Sequence, residues 1–382
     1  MNSEPIKKVC FIGAGTMGCF NSLMVSVAGY ECVIYDPLKE SLAGRKENQK
    51  VMGEFLSHSN FFNRVDIDAS ISRIKDESNL INALEGADLI SESIPENFDL
   101  KIKVLKEVES LIGNNAILTT NTSSLSVTKM SQQLNSSTHF AAMHFHLGSR
   151  LIDLARGVNT SEATIKSLVA FVESINGHPL VLKKESPGYA LNAMLGGLFR
   201  QSMLMVIEGL YSIEEIDGAW KDMNKSEFGP FGMMDIFGLD VVKGSWDEKE
   251  EGSSHIVYKE KILGFLSQYT ENESLGKKTG RGFYDYSNLQ NEHSKSNYKD
   301  IQEDLNIGII EAALVLLVDD ILEKENINQA WLVGTLLEKG PLDILDTMGI
   351  YQFNERYTKW TSNSYISSEN LTKIKVFLKS YK

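Results

Sequence analysis

The run Gly13-Ala14-Gly15-Thr16-Met17-Gly18 has residue types and a spacing that can hold a phosphate. It follows directly on Val9-Cys10-Phe11-Ile12, which reads as a buried strand, and precedes a stretch of helical periodicity. In that setting Gly13 permits the tight turn, Gly15 lets a pyrophosphate approach the backbone, and Gly18 lets the helix pack closely, with the anion at the helix N-terminus. Thr16 and Met17, between the last two glycines, belong to the same cofactor-binding segment. Asp36 ends the next apolar run, at the distance beyond Gly18 that a nucleotide-binding βαβ unit requires. A carboxylate there binds both adenosine ribose hydroxyls and repels a 2′-phosphate, so NAD is expected rather than NADP. The other reading is a glycine-rich structural turn with a surface aspartate.

A second set of reactive side chains lies further along. His144 and His146 are two residues apart at the end of an apolar run, so as strand residues they share a face. Two such histidines could hold a metal ion, but no third ligand at a suitable spacing presents itself, and no metal is expected. Cys10, Cys19 and Cys32 lack Cys-x-x-Cys spacing and a nearby histidine, and read as buried thiols. Lys and Arg total 38 against 51 Asp and Glu, a formal net charge of −13. Such a surface repels phosphate backbones and anionic bilayers, so neither nucleic acid nor membrane is an expected partner. The first residues lack the apolar core of a signal peptide, and the run Ala312 to Val318 is too short to span a bilayer. A soluble, cytoplasmic protein is expected.

The elements that must position these groups follow from the chain's periodicity. With 382 residues, 42% of them hydrophobic, the chain can build several packed cores. Between Lys7 and about Glu185, apolar runs (VCFIGA, ECVIYD, ADLISES, AILTTNT, HFAAMHF, LIDLA and PLVLKK) alternate with helix-period stretches. The alternation predicts an α/β fold over residues 1–185, a doubly wound, largely parallel Rossmann-type sheet with helices on both faces. Two tandem all-α helical domains should follow, over 186–286 and 301–382, joined by a polar linker at 287–300. The second reads as a repeat of the first without a gap. Trp220 and Trp331, Gly229-Pro230 and Gly340-Pro341, Asp235 and Asp346, and Gly238 and Gly349 are all separated by one and the same interval.

Six segments together carry a resemblance: GAGTMG at Gly13, SESIPEN at Ser91, NTSSLS at Asn121, HF at His144, SPGYALN at Ser186 and GKKTGRGFYDY at Gly276. Through about residue 286 the chain resembles the L-3-hydroxyacyl-CoA dehydrogenase family, of the 3-hydroxybutyryl-CoA dehydrogenase kind. The duplicated tail resembles the tandem helical domains of that family's multifunctional fatty-acid oxidation members. The resemblance implies an NAD-dependent oxidoreductase that interconverts a 3-hydroxyacyl and a 3-oxoacyl thioester. Hydride leaves the alcohol carbon only as the hydroxyl proton is lost, and a histidine can take and return that proton at neutral pH. His144, at a strand end on the carboxyl edge of the sheet, takes that role.

The resemblance further implies that Ser123, which precedes His144 by the family's separation, and Asn192, on the first turns of the helical domain, hold the substrate oxygen. Each could instead be a turn or cap residue. Glu96 and Lys101 match positions beside the nicotinamide end, and Asn121 and Lys278 match others that touch the cofactor. Arg45, Lys46 and Lys50 lie where family members bind the nucleotide part of CoA, or form a solvated face. The carboxylate partner of the histidine requires a gap. Ungapped alignment puts Arg156 there, where a fixed cation would suppress the imidazolium; a three-residue deletion brings Asp153 to that place instead.

After His144-Phe145 the family's usual Phe-Asn-Pro is replaced by His146-Leu147-Gly148, and the usual Arg after the helical-domain Asn is Ala193. This altered rim predicts slow turnover of acetoacetyl-CoA and a better substrate with a polar, branched or carrier-bound acyl group, His146 supplying the polarity. The competing readings are a dehydrogenase of a carrier-protein-bound or free hydroxy acid and a non-catalytic NAD-binding protein. Single-copy family members resemble dimers joined through their helical domains, so a second copy in one chain predicts a monomer containing an intramolecular pseudo-dimer.

Overall fold

The computed structural model describes residues 5–58, 64–186, 188–247, 256–288, 298–362 and 368–381. Most of the expected linker, residues 289–297, lies outside the described residues. The chain divides into two compact units, Met1–Tyr189 with Val333–Thr335, and Ala190–Leu332 with Leu336–Lys382.

The first unit is built on an eight-stranded sheet of β1 (Lys8–Ile12), β2 (Glu31–Tyr35), β3 (Lys75–Glu77), β4 (Leu89–Glu92), β5 (Ile117–Thr120), β6 (Phe140–Phe145), β7 (Leu151–Arg156) and β8 (His178–Val181), in the order 3-2-1-4-5-6-7-8. The order reverses at β1, beside β4, where an α/β sheet opens a crevice for ligands. Neighbouring strands are parallel except β6 and β7. The seven apolar runs all supply strands; β3 was not among them, because Lys-Asp-Glu has no apolar residue and the strand pairs with β2 alone, at the sheet edge. Val9, Phe11, Phe20, Leu23, Ile34, Met143 and Phe145 belong to the core around the sheet. Burial pushes the Cys10, Cys19 and Cys32 thiols up to about 12, 11 and 12, which keeps them protonated and unreactive.

Arg45 is part of this framework. Fully buried, it binds Asp76, the Gln49 amide oxygen and the carbonyls of Ile71 and Ile74. With its donors spent inside the fold it cannot also reach CoA, whereas Lys50 stays exposed beside Glu47.

The second unit is helical, and its parts match at the interval seen in the sequence. The helices Ile213–Asn224 and Pro230–Phe237 precede Lys324–Thr335 and Pro341–Met348 by that interval at both ends. Left-handed backbone recurs in step, at Gly209 and Asp320, Lys225 and Leu336, and Gly238 and Gly349. So does a cap: Asp217 accepts from the Phe231 amide at 2.8 Å, and Asn328 from the Leu342 amide at 2.9 Å. The long helices Leu191–Ile207 and Lys299–Val318 cross where a Cβ on either Gly197 or Gly308 would collide with the other's carbonyl. Near that crossing the Arg200 guanidinium bonds Glu311, its own counterpart at the same interval.

Candidate active site

At the carboxyl end of β1 the chain turns through Gly13, whose φ of +103° suits only glycine. It enters the Thr16–Val27 helix with Gly15 as N-cap, and among the described residues no side chain caps its first amides. The first amides of a helix have no intrahelical partner and can bind an anion. A Cβ on Gly15 would meet nothing within 4 Å, so the backbone there is open, while one on Gly18 would collide with the Gly13 carbonyl. The open backbone and uncapped helix end suit a pyrophosphate. Thr16 is exposed and Met17 half-buried beside it. Asp36, just past β2, accepts from the amides of Ala14 and Leu38, both at 2.9 Å, which holds its carboxylate against the glycine turn.

The turns after β4 and β5 meet around Glu96. Its Oε1 accepts from the Thr122 hydroxyl, the Ser123 amide at 3.1 Å, the Ser124 amide at 3.2 Å and the Ser124 hydroxyl at 3.0 Å. Burial works to raise the Glu96 carboxyl, but Lys101 and these donors outweigh it and hold it below the usual range. Lys101 is 1% exposed, with its ammonium 2.7 Å from Glu92 and 3.3 Å from Glu96. It therefore anchors Glu96 from beneath, which differs from the cofactor contact expected of it. Asn121 accepts from the Phe145 amide at 2.9 Å and so ties this turn to the end of β6. The Ser123 carbonyl accepts from the Gly188 amide at 2.8 Å. Among the described residues the Ser123 hydroxyl has no protein partner, leaving it available to a substrate.

The antiparallel register of β6 and β7 sets His144 directly opposite Asp153, and pairs Arg156 with Ala141. Opposed residues in such a pair project to the same face. His144 Nδ1 lies 3.2 Å from Asp153 Oδ2, and His146 Nε2 lies 2.6 Å from the same oxygen. All three side chains are buried, Asp153 completely, and the two imidazoles meet edge to face with centroids 4.5 Å apart. Burial opposes ionisation of Asp153, yet the two histidines hold its carboxyl below the usual range. For His144, burial and then His146 press the pKa down, against the upward pull of Asp153 and Glu96, and the net direction is down.

Two features of this cluster were not legible in the sequence. Asp153 completes a set with both histidines whose ligand atoms lie within 4.8 Å of one another, a composition that also suits a transition metal. The resemblance had set Asp153 beside His144 alone; that the same carboxylate also reaches His146 emerges only from the folded strand pair. Both separations from the carboxylate oxygen are hydrogen-bond distances and account for the cluster by shared protons. His146 also spends its Nε2 on Asp153, which removes the basis for expecting it to present polarity to an acyl group. The second feature is Tyr189, whose ring lies 5.3 Å from that of His144, with φ of +49°. Its hydroxyl is buried, and burial raises its pKa well above the ordinary value. The remaining assigned residues belong to the second unit: Asn192 is the second residue of the Leu191–Ile207 helix, and Lys278 bonds both Asp240 oxygens at 2.6 Å. The GKKTGRGFYDY segment wraps Asp235, which accepts from the amides of Phe283 and Tyr284 at 2.9 and 3.0 Å.

Comparison with known proteins fits this arrangement. The family model for the 3-hydroxyacyl-CoA dehydrogenase NAD-binding domain matches residues 8–186, and that for the 3-hydroxyacyl-CoA dehydrogenase C-terminal domain matches residues 188–286. The chain belongs to the 3-hydroxyacyl-CoA dehydrogenase family. A probable 3-hydroxyacyl-CoA dehydrogenase of Caenorhabditis elegans is 30% identical over 295 residues, covering 74% of this chain and 97% of the relative. A probable 3-hydroxybutyryl-CoA dehydrogenase of Bacillus subtilis is 30% identical over 285 residues, covering 74% and 98%. The solved 3-hydroxybutyryl-CoA dehydrogenase of Escherichia coli shares the fold with a TM-score of 0.82, over 99% of this chain and all of that one, at 17% identity. The first unit of this dehydrogenase-family chain therefore contains an NAD-binding domain, as its glycine turn and Asp36 predict. Among the described residues no helix is long and apolar enough to cross a membrane.

Proposed function

We propose that the chain interconverts a 3-hydroxyacyl and a 3-oxoacyl thioester of CoA, with His144 as general base and acid. The observation that carries this reading is the His144–Asp153 pair. With Nδ1 donating to the carboxylate, Nε2 keeps its lone pair and can accept the substrate hydroxyl proton, and Asp153 stabilises the imidazolium that results. Bound NAD supplies the hydride acceptor. Gly13, Gly15, Thr16, Met17 and Gly18 hold its pyrophosphate, Asp36 its adenosine ribose, and Glu96 and Asn121 shape the far end of the cleft. Ser123 donates to the substrate oxygen through its free hydroxyl; Asn192 is assigned to the same oxygen on the resemblance. Lys278, engaged by Asp240, is left out of the cofactor set. We place the reaction in fatty-acid metabolism and in the cytoplasm.

The test is a panel of acetoacetyl-CoA, longer 3-oxoacyl-CoAs and their carrier-bound and free-acid counterparts, followed by NADH absorbance. Turnover of the CoA thioesters is expected. NADH should exceed NADPH by more than tenfold in kcat/KM, about 1.4 kcal/mol or more, and Asp36→Ala should narrow the gap. NADH binding without turnover of any member would leave a non-catalytic NAD-binding protein, and turnover confined to the carrier-bound or free acids would move the substrate class.

We also propose that the second helical segment is a duplicate of the first. The pairs Gly197–Gly308 and Arg200–Glu311 each join a residue to its own counterpart, as happens at a two-fold axis between equivalent copies. The duplicate then occupies a partner's place, and the full chain should sediment as a monomer. A stable dimer formed through the same helix face would refute this.

A further inference from the structure

We propose that His146 is a positioning residue, which shares the Asp153 carboxylate with His144 and thereby sets how firmly His144 holds a proton. The inference rests on the reading of His144 as the base. Both imidazoles donate to one oxygen, Asp153 Oδ2, and His146 is the nearer, at 2.6 Å against 3.2 Å. The other oxygen, Oδ1, is buried and has no hydrogen-bond partner among the described residues, so the carboxylate does not serve the two rings with one oxygen each. The shorter bond claims the larger share of the acceptor's charge, and the longer one is correspondingly weakened.

Among the described residues, few other groups that could set its protonation face His144. Asp153 stands across from it on β7, His146 follows it beyond β6, the Tyr189 ring packs on it, and Glu96 acts electrostatically from the turn after β4. Tyr189 stays neutral at working pH because burial raises its hydroxyl. Glu96 has its own donors from the β5 turn. The adjustable contact is the contest for Asp153. By drawing the carboxylate away, His146 makes the His144 imidazolium less favourable and keeps the ring neutral further into acid. In the oxidation direction the base must be neutral, so activity persists to lower pH than an unshared pair would allow.

The experiment is a pH titration of the histidine ring nitrogens by NMR on the full-length chain, with His144 assigned through the resonance lost in His144→Gln. In His146→Phe the Asp153 carboxylate turns wholly to His144, whose pKa should rise by about half a pH unit or more. In His146→Gln, whose amide nitrogen can reach the same oxygen, it should return toward the wild-type value. The acid limb of kcat/KM for oxidation should follow both changes, with KM for NAD unmoved. An unchanged His144 titration in His146→Phe, or equal shifts in the two variants, overturns the proposal. So does a wild-type His144 that carries its proton on Nε2. If His146→Phe does not fold, His146→Asn, too short to reach Asp153, replaces it under the same criteria. A chain that turns over nothing would defeat the reading of His144 as catalytic, yet the titration would still decide the sharing.

Discussion

His144→Gln is expected to lower kcat by about 10²–10⁴-fold while NADH affinity stays nearly unchanged. The size follows from what the ring does. In the proposed role its Nε2 takes the hydroxyl proton only as hydride departs, so the loss should fall on the transition state, whereas the glycine turn and Asp36, proposed to hold the cofactor, follow β1 and β2. Gln keeps the volume and a hydrogen bond but accepts no proton at neutral pH. Asp153→Asn should also impair turnover, because an amide opposite Nδ1 neither enforces the base-ready tautomer nor stabilises the imidazolium. Steady-state kinetics with NADH binding by fluorescence checks both variants. A severe His144 effect beside a silent Asp153→Asn would mean that the orienting group lies elsewhere.

Arg200→Met should destabilise the helical unit by about 3–5 kcal/mol, the usual cost of stripping one partner from a buried ion pair. Arg200 and Glu311 are each 1% exposed, and the guanidinium also lies 5.5 Å over the Tyr258 ring. Without the cation, Glu311 must stay charged in an apolar setting or take up a proton. The double variant Arg200→Met with Glu311→Leu should recover most of the loss, since a packed apolar pair avoids both desolvation costs. Chemical denaturation of the three proteins tests this. A single-variant loss below about 1 kcal/mol, the level of an exposed pair, would show that the pair does not hold the two long helices together.

The sequence alone determined the parts whose physics is local. Gly13 to Gly18 after an apolar run specifies a strand, a tight turn and an open helix end, and Asp36 lies within reach of them because the next strand must pair beside the first. Apolar alternation marked seven of the eight strands, and the constant interval between the helical segments could be counted from two tryptophans and two Gly-Pro pairs. The missed strand, Lys75–Glu77, has no apolar residue to betray it. Pairing across distance was left to the tertiary structure. The resemblance, with a three-residue deletion, chose Asp153 over Arg156 as the partner of His144, but one antiparallel register sets it there, and slipping it by a residue would turn every side chain to the other face. The same register brings His146 onto the shared carboxylate. Burial, which composition cannot assign to a single lysine or arginine, sends Lys101 beneath Glu96 and Arg45 into the framework. An unpaired buried charge is too costly to keep, so each of these cations was placed by the carboxylate that the fold brought to it.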